Sequence, residues 1–451
     1  MELKRKFYDY LVEWKRRNPR ECLLVKGARQ IGKTYIIRKF GRENFDNFIE
    51  INFALNPEYI SAFDGNLSVG TLVENLTAIG GNLPFEPGRT LIFLDEIQDC
   101  PNARTALKSF AEDGSYTVIA SGSLLGIRYK KDRLKKTPRS IPVGYERQVT
   151  MYSLSFEEYL WARGRGPEAI KALRGYFERR EMVPAAINEA YTRLIREYAV
   201  IGGMPEVVSA FIDHGNYGEV QSIQEKLLDD YLDDIGKYAD KVDIPKIGRC
   251  FEAIPRILAK ENRKFKYAEV EDRGTARKYL SSVEWLKEAK MATMAECVNL
   301  ALPGLAGYVK DEWFKLYASD VGLLSSGYGM LVKRTLLDGT LKGTVNGGIY
   351  ENLIAGILKR NGFPIRYYHN DDREVEFIIE TEDGVIPIEV KAGNSATVSF
   401  DGLLRQEDIP YGFKFIDGNV GVSGKKITLP HYMAMFLNTG EEKAFTEKGE
   451  R

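Results

Sequence analysis

Residues 27–34 read Gly27-Ala28-Arg29-Gln30-Ile31-Gly32-Lys33-Thr34, an instance of G-x-x-x-x-G-K-[ST]. Gly27 and Gly32 let the backbone curl around an anion and turn successive N–H groups inward. A helix that begins at Lys33 points the positive end of its dipole at the same anion. Lys33 adds a compact charge for the β- and γ-phosphates, and the Thr34 hydroxyl suits Mg²⁺. The apolar run ECLLV (21–25) enters the loop as a strand and YIIRKF (35–40) leaves it as a helix. The stretch therefore predicts a site for ATP with Mg²⁺, walled by Ala28, Arg29, Gln30 and Ile31.

Outward from the loop, NFIEINF (47–53), TLIFLD (90–95) and YTVIASG (116–122) read as further buried strands. Helical or turn-rich segments at 69–80 and 103–113 separate them. Buried strands that alternate with helices predict a parallel sheet covered on both faces. The run at 90–95 ends in Asp95 and Glu96, the form of a Walker B element: Asp95 to hold the magnesium, Glu96 to polarise the attacking water. The next strand ends in Ser121-Gly122-Ser123. In ATPases whose catalytic strand lies between the phosphate-loop strand and another, a polar residue here senses the γ-phosphate, a role open to Ser121 or Ser123. Arg139 and Arg147 are candidates for an arginine on the γ-phosphate, and Arg29 stands at the loop tip.

The rest of the composition mainly excludes. Among 451 residues, 64 basic and 64 acidic side chains cancel, so net charge selects neither nucleic acid nor an anionic surface. Cys22, Cys100, Cys250 and Cys297 are scattered, and His occurs only at 214, 369 and 431, which excludes a disulfide scaffold and argues against zinc. The opening MELKRKFYDYLVEWKRRN lacks the apolar stretch of a signal peptide, and no run reaches the ~20 residues of a membrane helix. A cytoplasmic protein without a membrane partner is expected. Phe7, Tyr10, Leu11 and Trp14 share one face of a first helix over 5–16.

The motifs G-A-R-Q-I-G-K-T, L-D-E-I-Q (94–98), S-G-S (121–123) and L-S-F-E-E-Y-L (154–160) resemble the prokaryotic predicted-ATPase family related to AAA and archaeal-type ATPases. I-G-G-M-P-E-V-V (201–208), K-Y-L-S-S-V-E-W-L-K-E-A (278–289) and L-Y-A-S-D-V-G-L-L (316–324) extend the likeness over nearly the whole chain. The resemblance implies an AAA-like domain before a C-terminal region of undefined role, and ATP hydrolysis by residues 27–34, 95 and 96.

The expected fold class is multidomain α/β. It comprises a P-loop NTPase parallel sheet over 1–165, a helical lid over 166–243, a winged-helix-like part over 244–330, a nuclease-like mixed α/β domain over 331–440 and a flexible tail over 441–451. Gly202, Gly203 and Pro205 interrupt the helical pattern near 201–205. The helix at 276–291 places Tyr279, Leu280, Val283, Leu286 and Ala289 on one face, with Arg277, Lys278, Lys287 and Lys290 beside Glu284 and Glu288. RYKKDRLKK (128–136) is the densest positive run, suited to phosphates or to solvent.

Near the C-terminus, Glu376 is expected in one strand and Glu389-Val390-Lys391 in the next, with Glu351 on the helix before them. This spelling resembles the PD-(D/E)XK nuclease fold, in which two carboxylates bind Mg²⁺ and the lysine steadies developing charge. Glu389 and Lys391, two apart, project from one sheet face. Glu376 stands where an aspartate is usual. The leading expectation is an ATPase whose nucleotide state controls its C-terminal domains. The alternatives are an ATP-regulated nuclease acting through Glu376, Glu389 and Lys391, or a nucleotide-gated scaffold with negligible turnover. DNA and a second copy of the chain stay open as partners.

Overall fold

The runs at 90–95 and 117–122 lack polar alternation, so both faces of these strands must be covered. The computed structural model describes residues 2–17, 19–123, 144–371, 373–393 and 397–439. They divide into two compact units, one of Lys4–Tyr152 and one of Ser153–Lys287 with the described residues from Met291 onward. The division falls inside the stretch 1–165 assigned above to the first domain. The basic run 128–136, Arg139 and the tail 441–451 lie outside the described residues.

In the first unit, strands β1 (Cys22–Lys26), β2 (Asn47–Asn52), β3 (Thr90–Asp95), β4 (Thr117–Gly122) and β5 (Glu146–Thr150) form one sheet in the order β2-β3-β4-β1-β5. Every pairing in it is parallel. Helix α1 (Lys6–Arg16) packs on α2 (Lys33–Asn44), and α2 covers one face of the central strands. Leu72 and Leu76 of α3 (Val69–Gly80) and Leu107 and Phe110 of α4 (Pro101–Asp113) bury the other against Leu24, Ile92, Leu94 and Ala120. Two expectations need correction. It is β4 that stands beside the phosphate-loop strand, with β3 one place further out. The polar spelling ERQVT conceals β5, which an edge position permits because one side needs no apolar cover.

The second unit begins with helices α5 (Phe156–Ala162), α6 (Pro167–Arg179), α7 (Ala185–Ile201), α8 (Pro205–His214), α9 (Tyr217–Tyr238), α10 (Ile244–Leu258) and α11 (Ala276–Glu288). The hairpin of β6 (Ala292–Val298) and β7 (Val309–Ala318) follows, then α12 (Val321–Ser326), α13 (Gly329–Leu337) and α14 (Thr344–Arg360). Strands β8 (Arg366–Asn370) and β9 (Arg373–Val375) complete a sheet ordered β7-β6-β8-β9. The hairpin of the expected winged-helix-like part is thus continued by a strand from beyond residue 331, with β6 and β8 parallel. Leu280, expected on the buried face of α11, is exposed.

The second sheet contains β10 (Phe377–Thr381), β11 (Gly384–Val390), β12 (Gly412–Ile416), β13 (Gly421–Ser423) and β14 (Lys426–Pro430), ordered β10-β11-β12-β14-β13, with α15 (Val398–Leu404) beside it. Helix α7 grips this region: Arg196 pairs with Asp417, Asn188 Nδ2 donates to the Gly418 carbonyl at 3.1 Å, and the Tyr432 hydroxyl donates to Asn188 Oδ1 at 2.7 Å.

Two motifs from the family resemblance meet at Asp320, which is buried just before α12, and the third, 154–160, lies alongside through Leu154. Its Oδ2 accepts from the Ser153 hydroxyl and from Gly203 N–H, both at 2.8 Å, and its Oδ1 accepts from Gly322 N–H at 2.9 Å. The Tyr198 hydroxyl donates to the Leu154 carbonyl at 2.6 Å. A Cβ on Gly203 would stand 2.1 Å from that same carbonyl oxygen. Gly203→Ala is therefore expected to destabilise this unit by about 2–3 kcal/mol through forced backbone displacement. Urea unfolding followed by tryptophan fluorescence measures the loss.

Candidate functional site

The loop between β1 and α2 takes up backbone conformations that side chains resist. Gly27 has φ 149°, Gln30 φ 62° and Gly32 φ 88°. A Cβ on Gly27 would lie 2.3 Å from the Met151 carbonyl oxygen, so this glycine serves close approach as well as curvature. Gly32 caps α2 in the left-handed region and aims the first turn of the helix into the loop. The Lys33 ammonium is buried and donates to the carbonyls of Gly27 at 3.0 Å and Ala28 at 2.7 Å. Arg5 secures the rim, donating from Nη1 to the Ile31 carbonyl at 3.0 Å and from Nη2 to the Tyr152 carbonyl at 2.6 Å.

Asp95, at the end of β3, collects three further elements. Its Oδ2 accepts from the Thr34 hydroxyl and from Asn52 Nδ2, each at 3.0 Å, and its Oδ1 accepts from the Ser121 hydroxyl. Parallel register puts Asn52 directly beside Asp95, and Ser121 beside Val25 at the mouth of the loop. Asn52 is braced in turn, its Oδ1 accepting from the N–H groups of Ala54 at 3.1 Å and Leu55 at 3.0 Å. Thr34 and Asp95 thus present the hard oxygens that Mg²⁺ takes, next to the Lys33 ammonium and the first turn of α2. The donor set fits a magnesium-bound triphosphate.

Glu96 follows in the left-handed region at φ 51°, ψ 45°, and its Oε2 accepts from Gln98 Nε2. Of the expected residues, Lys33, Thr34, Asp95 and Ser121 converge, and Glu96 adjoins them. The Ser123 hydroxyl is buried and unpaired and has no bond to this cluster. Arg147 is corrected outright. It lies beside Leu23 near the start of β1, at the opposite end of the strands from the loop, and pairs with Glu21. Sequence reasoning misses Arg5, Asn52 and Gln98. Asn52 is detectable only as a polar residue that closes an apolar strand.

The C-terminal cluster forms, with one change. Glu376 is not inside a strand but at the bend where β9 leaves one sheet and β10 enters the other. The Lys391 ammonium stands 2.6 Å from Glu376 Oε1 and 2.8 Å from Glu389 Oε1. Burial, reinforced by neighbouring Glu376, pushes the Glu389 carboxyl up to about 9. Glu351 is bonded instead to Arg263 at 2.6 Å, Lys315 at 2.9 Å and the Tyr317 hydroxyl at 2.5 Å. Burial alone would raise Glu351, but Lys315 and Arg263 hold it down at about 2. On α11, Lys278 is exposed and pairs with Glu271. Among the described residues no group of three or more His, Cys, Asp and Glu could hold a metal ion, and no helix is long and apolar enough to cross a membrane.

Comparison with known proteins agrees with the first unit. Residues 19–160 match the family model of an AAA domain. Residues 192–331 and 346–431 match two domains of unknown function, DUF8612 and DUF4143. The Walker-type ATPase PABY2304 of Pyrococcus abyssi is similar at 18% identity and TM-score 0.41, over 72% of this chain and 96% of that one. AMPPCP-bound DnaA from Aquifex aeolicus is similar at 11% and 0.27, over 63% of this chain and 88% of that one. Drosophila ORC bound to DNA is similar at 14% and 0.21, over 72% and 85%. No curated protein matches the sequence. With the loop, the acidic strand end and the parallel order already in place, residues 19–160 have a P-loop parallel-sheet fold and match an AAA domain, and the two segments after them match families of unknown function.

Proposed function

We propose that this chain binds ATP with Mg²⁺ and hydrolyses it to ADP and phosphate, and that its nucleotide state governs the second unit. The observation that carries the reading is the 3.0 Å bond between Thr34 and Asp95, which joins the start of the loop helix to the acidic end of β3. Gly27, Ala28, Arg29, Gln30, Ile31 and Gly32 supply the N–H cradle, and Lys33 the charge on the β- and γ-phosphates. Thr34 and Asp95 would hold the magnesium, which when bound neutralises charge that develops on the phosphates. Ser121 keeps Asp95 oriented, and Glu96 accepts a proton from the attacking water. Arg5 ties the loop to Tyr152, and the next residue, Ser153, is anchored on Asp320, so one short stretch of chain is held at both ends.

Lys33→Ala is expected to weaken binding of an ATP analogue by about 100-fold, because the buried ammonium is the loop's own cation. Glu96→Gln is expected to bind the analogue as the native chain does while releasing phosphate on the order of 100-fold more slowly. Fluorescent-nucleotide titration and a phosphate-release assay read the two effects. Phosphate release at the native rate in Glu96→Gln would remove Glu96 as the base. Negligible release by the native chain itself would favour the scaffold reading.

A second reading, metal-dependent cleavage of DNA, rests on the convergence of Glu376, Glu389 and Lys391 within 2.8 Å. It predicts nicking of plasmid DNA with Mn²⁺ that disappears in Lys391→Ala. If the cluster is instead an internal ion pair, Lys391→Met destabilises the unit by about 2 kcal/mol through the stranded Glu376 carboxylate. Adding Glu376→Gln then restores most of that loss, as thermal unfolding of the three proteins would record.

A further inference from the structure

Asp95 and Glu96 are chemically alike and adjacent, yet they are held in opposite ways. Asp95 is clamped by three donors from three elements. Glu96 has a single side-chain partner: Gln98 Nε2 donates to its Oε2, and among the described residues no other hydrogen bond reaches its carboxylate. Its backbone occupies the left-handed region, which a non-glycine residue keeps only when its surroundings fix it. They do so here. Asp99 N–H donates to the Glu96 carbonyl at 2.9 Å, closing a tight turn, and Ile97 and Gln98 on that turn are both almost wholly buried.

We propose that Gln98 is the positioning residue for Glu96. The buried amide fixes Oε2, which leaves Oε1 directed to the attacking water. Being neutral, it stabilises the ionised carboxylate without neutralising it. Oε1 then takes a proton as the water oxygen bonds to the γ-phosphorus. The bond from that phosphorus to the β,γ-bridging oxygen breaks, and its electron pair leaves with ADP. An asparagine is one methylene too short to reach from the same turn. This inference rests on the reading of Glu96 as general base, and it adds what makes that base competent.

The test uses the full chain and follows phosphate release against ATP concentration. Gln98→Ala is expected to lower kcat about tenfold with KM within twofold, since orientation is lost and binding is not. Gln98→Asn, whose amide is too short to reach, is expected to show the same split. Unchanged kcat in both variants, with Glu96→Gln inactive, would overturn the role of Gln98 and leave the base in place. An active Glu96→Gln, or a native chain without turnover, would overturn the base and this inference with it. If Gln98→Ala fails to fold, Gln98→Asn decides: a native kcat, or a kcat lowered together with a weakened KM, marks a structural residue and overturns the proposal.

Discussion

A carboxylate taken out of water has to be met by donors, and in the first unit Asp95 is the carboxylate whose demand organises everything near it. Its three donors come from residues 61, 43 and 26 positions away along the chain. Only a parallel sheet ordered β2-β3-β4-β1-β5 brings them together, because parallel strands all finish at one edge. At that edge the phosphate loop leaves β1, Asn52 closes β2, Asp95 closes β3 and Ser121 stands one residue from the end of β4. The packing that buries Leu24, Ile92 and Ala120 and the geometry that suits a triphosphate therefore follow from one arrangement.

The second unit repeats this logic with a different outcome. Asp320 is likewise buried and likewise accepts three hydrogen bonds, but two of its donors are backbone N–H groups and the third is the Ser153 hydroxyl. The cation beside it is Arg360, 3.8 Å from Oδ2, which also donates to the Ser153 hydroxyl at 2.7 Å. The glycines of I-G-G-M-P are accounted for by space: the chain near 203 passes so close to Leu154 that a methyl group would overlap its carbonyl. Packing accounts for Asp320, whereas Glu96 combines a strained backbone with a carboxylate bonded to one buried amide.

How much of this could be read from sequence depended on distance along the chain. The loop at 27–34 was legible because curvature, cation and helix start are all encoded within eight residues. The pair at 95 and 96 was legible because an apolar run that stops abruptly at two acids marks a strand end prepared for a cation. Asn52 and Gln98 were not, because each acquires meaning only from register or from a turn that local spelling does not announce. ERQVT concealed an edge strand for the same reason that edges tolerate polar residues. The bend at Glu376 escaped notice because the run 375–380 is continuously β-forming, and only the two sheets on either side require the chain to turn there.

The C-terminal cluster shows where spelling and chemistry separate. E-x-K guarantees that Glu389 and Lys391 share a face, and the bend delivers Glu376 to them. Three charged groups in a confined space must then settle their protons, and burial beside Glu376 moves Glu389 up to about 9. The cation this confined space holds is the Lys391 ammonium, paired with both Glu376 and Glu389. A divalent cation entering the site would have to displace that ammonium. The motif thus selects the groups that meet, and the lysine among them is the positive charge they hold.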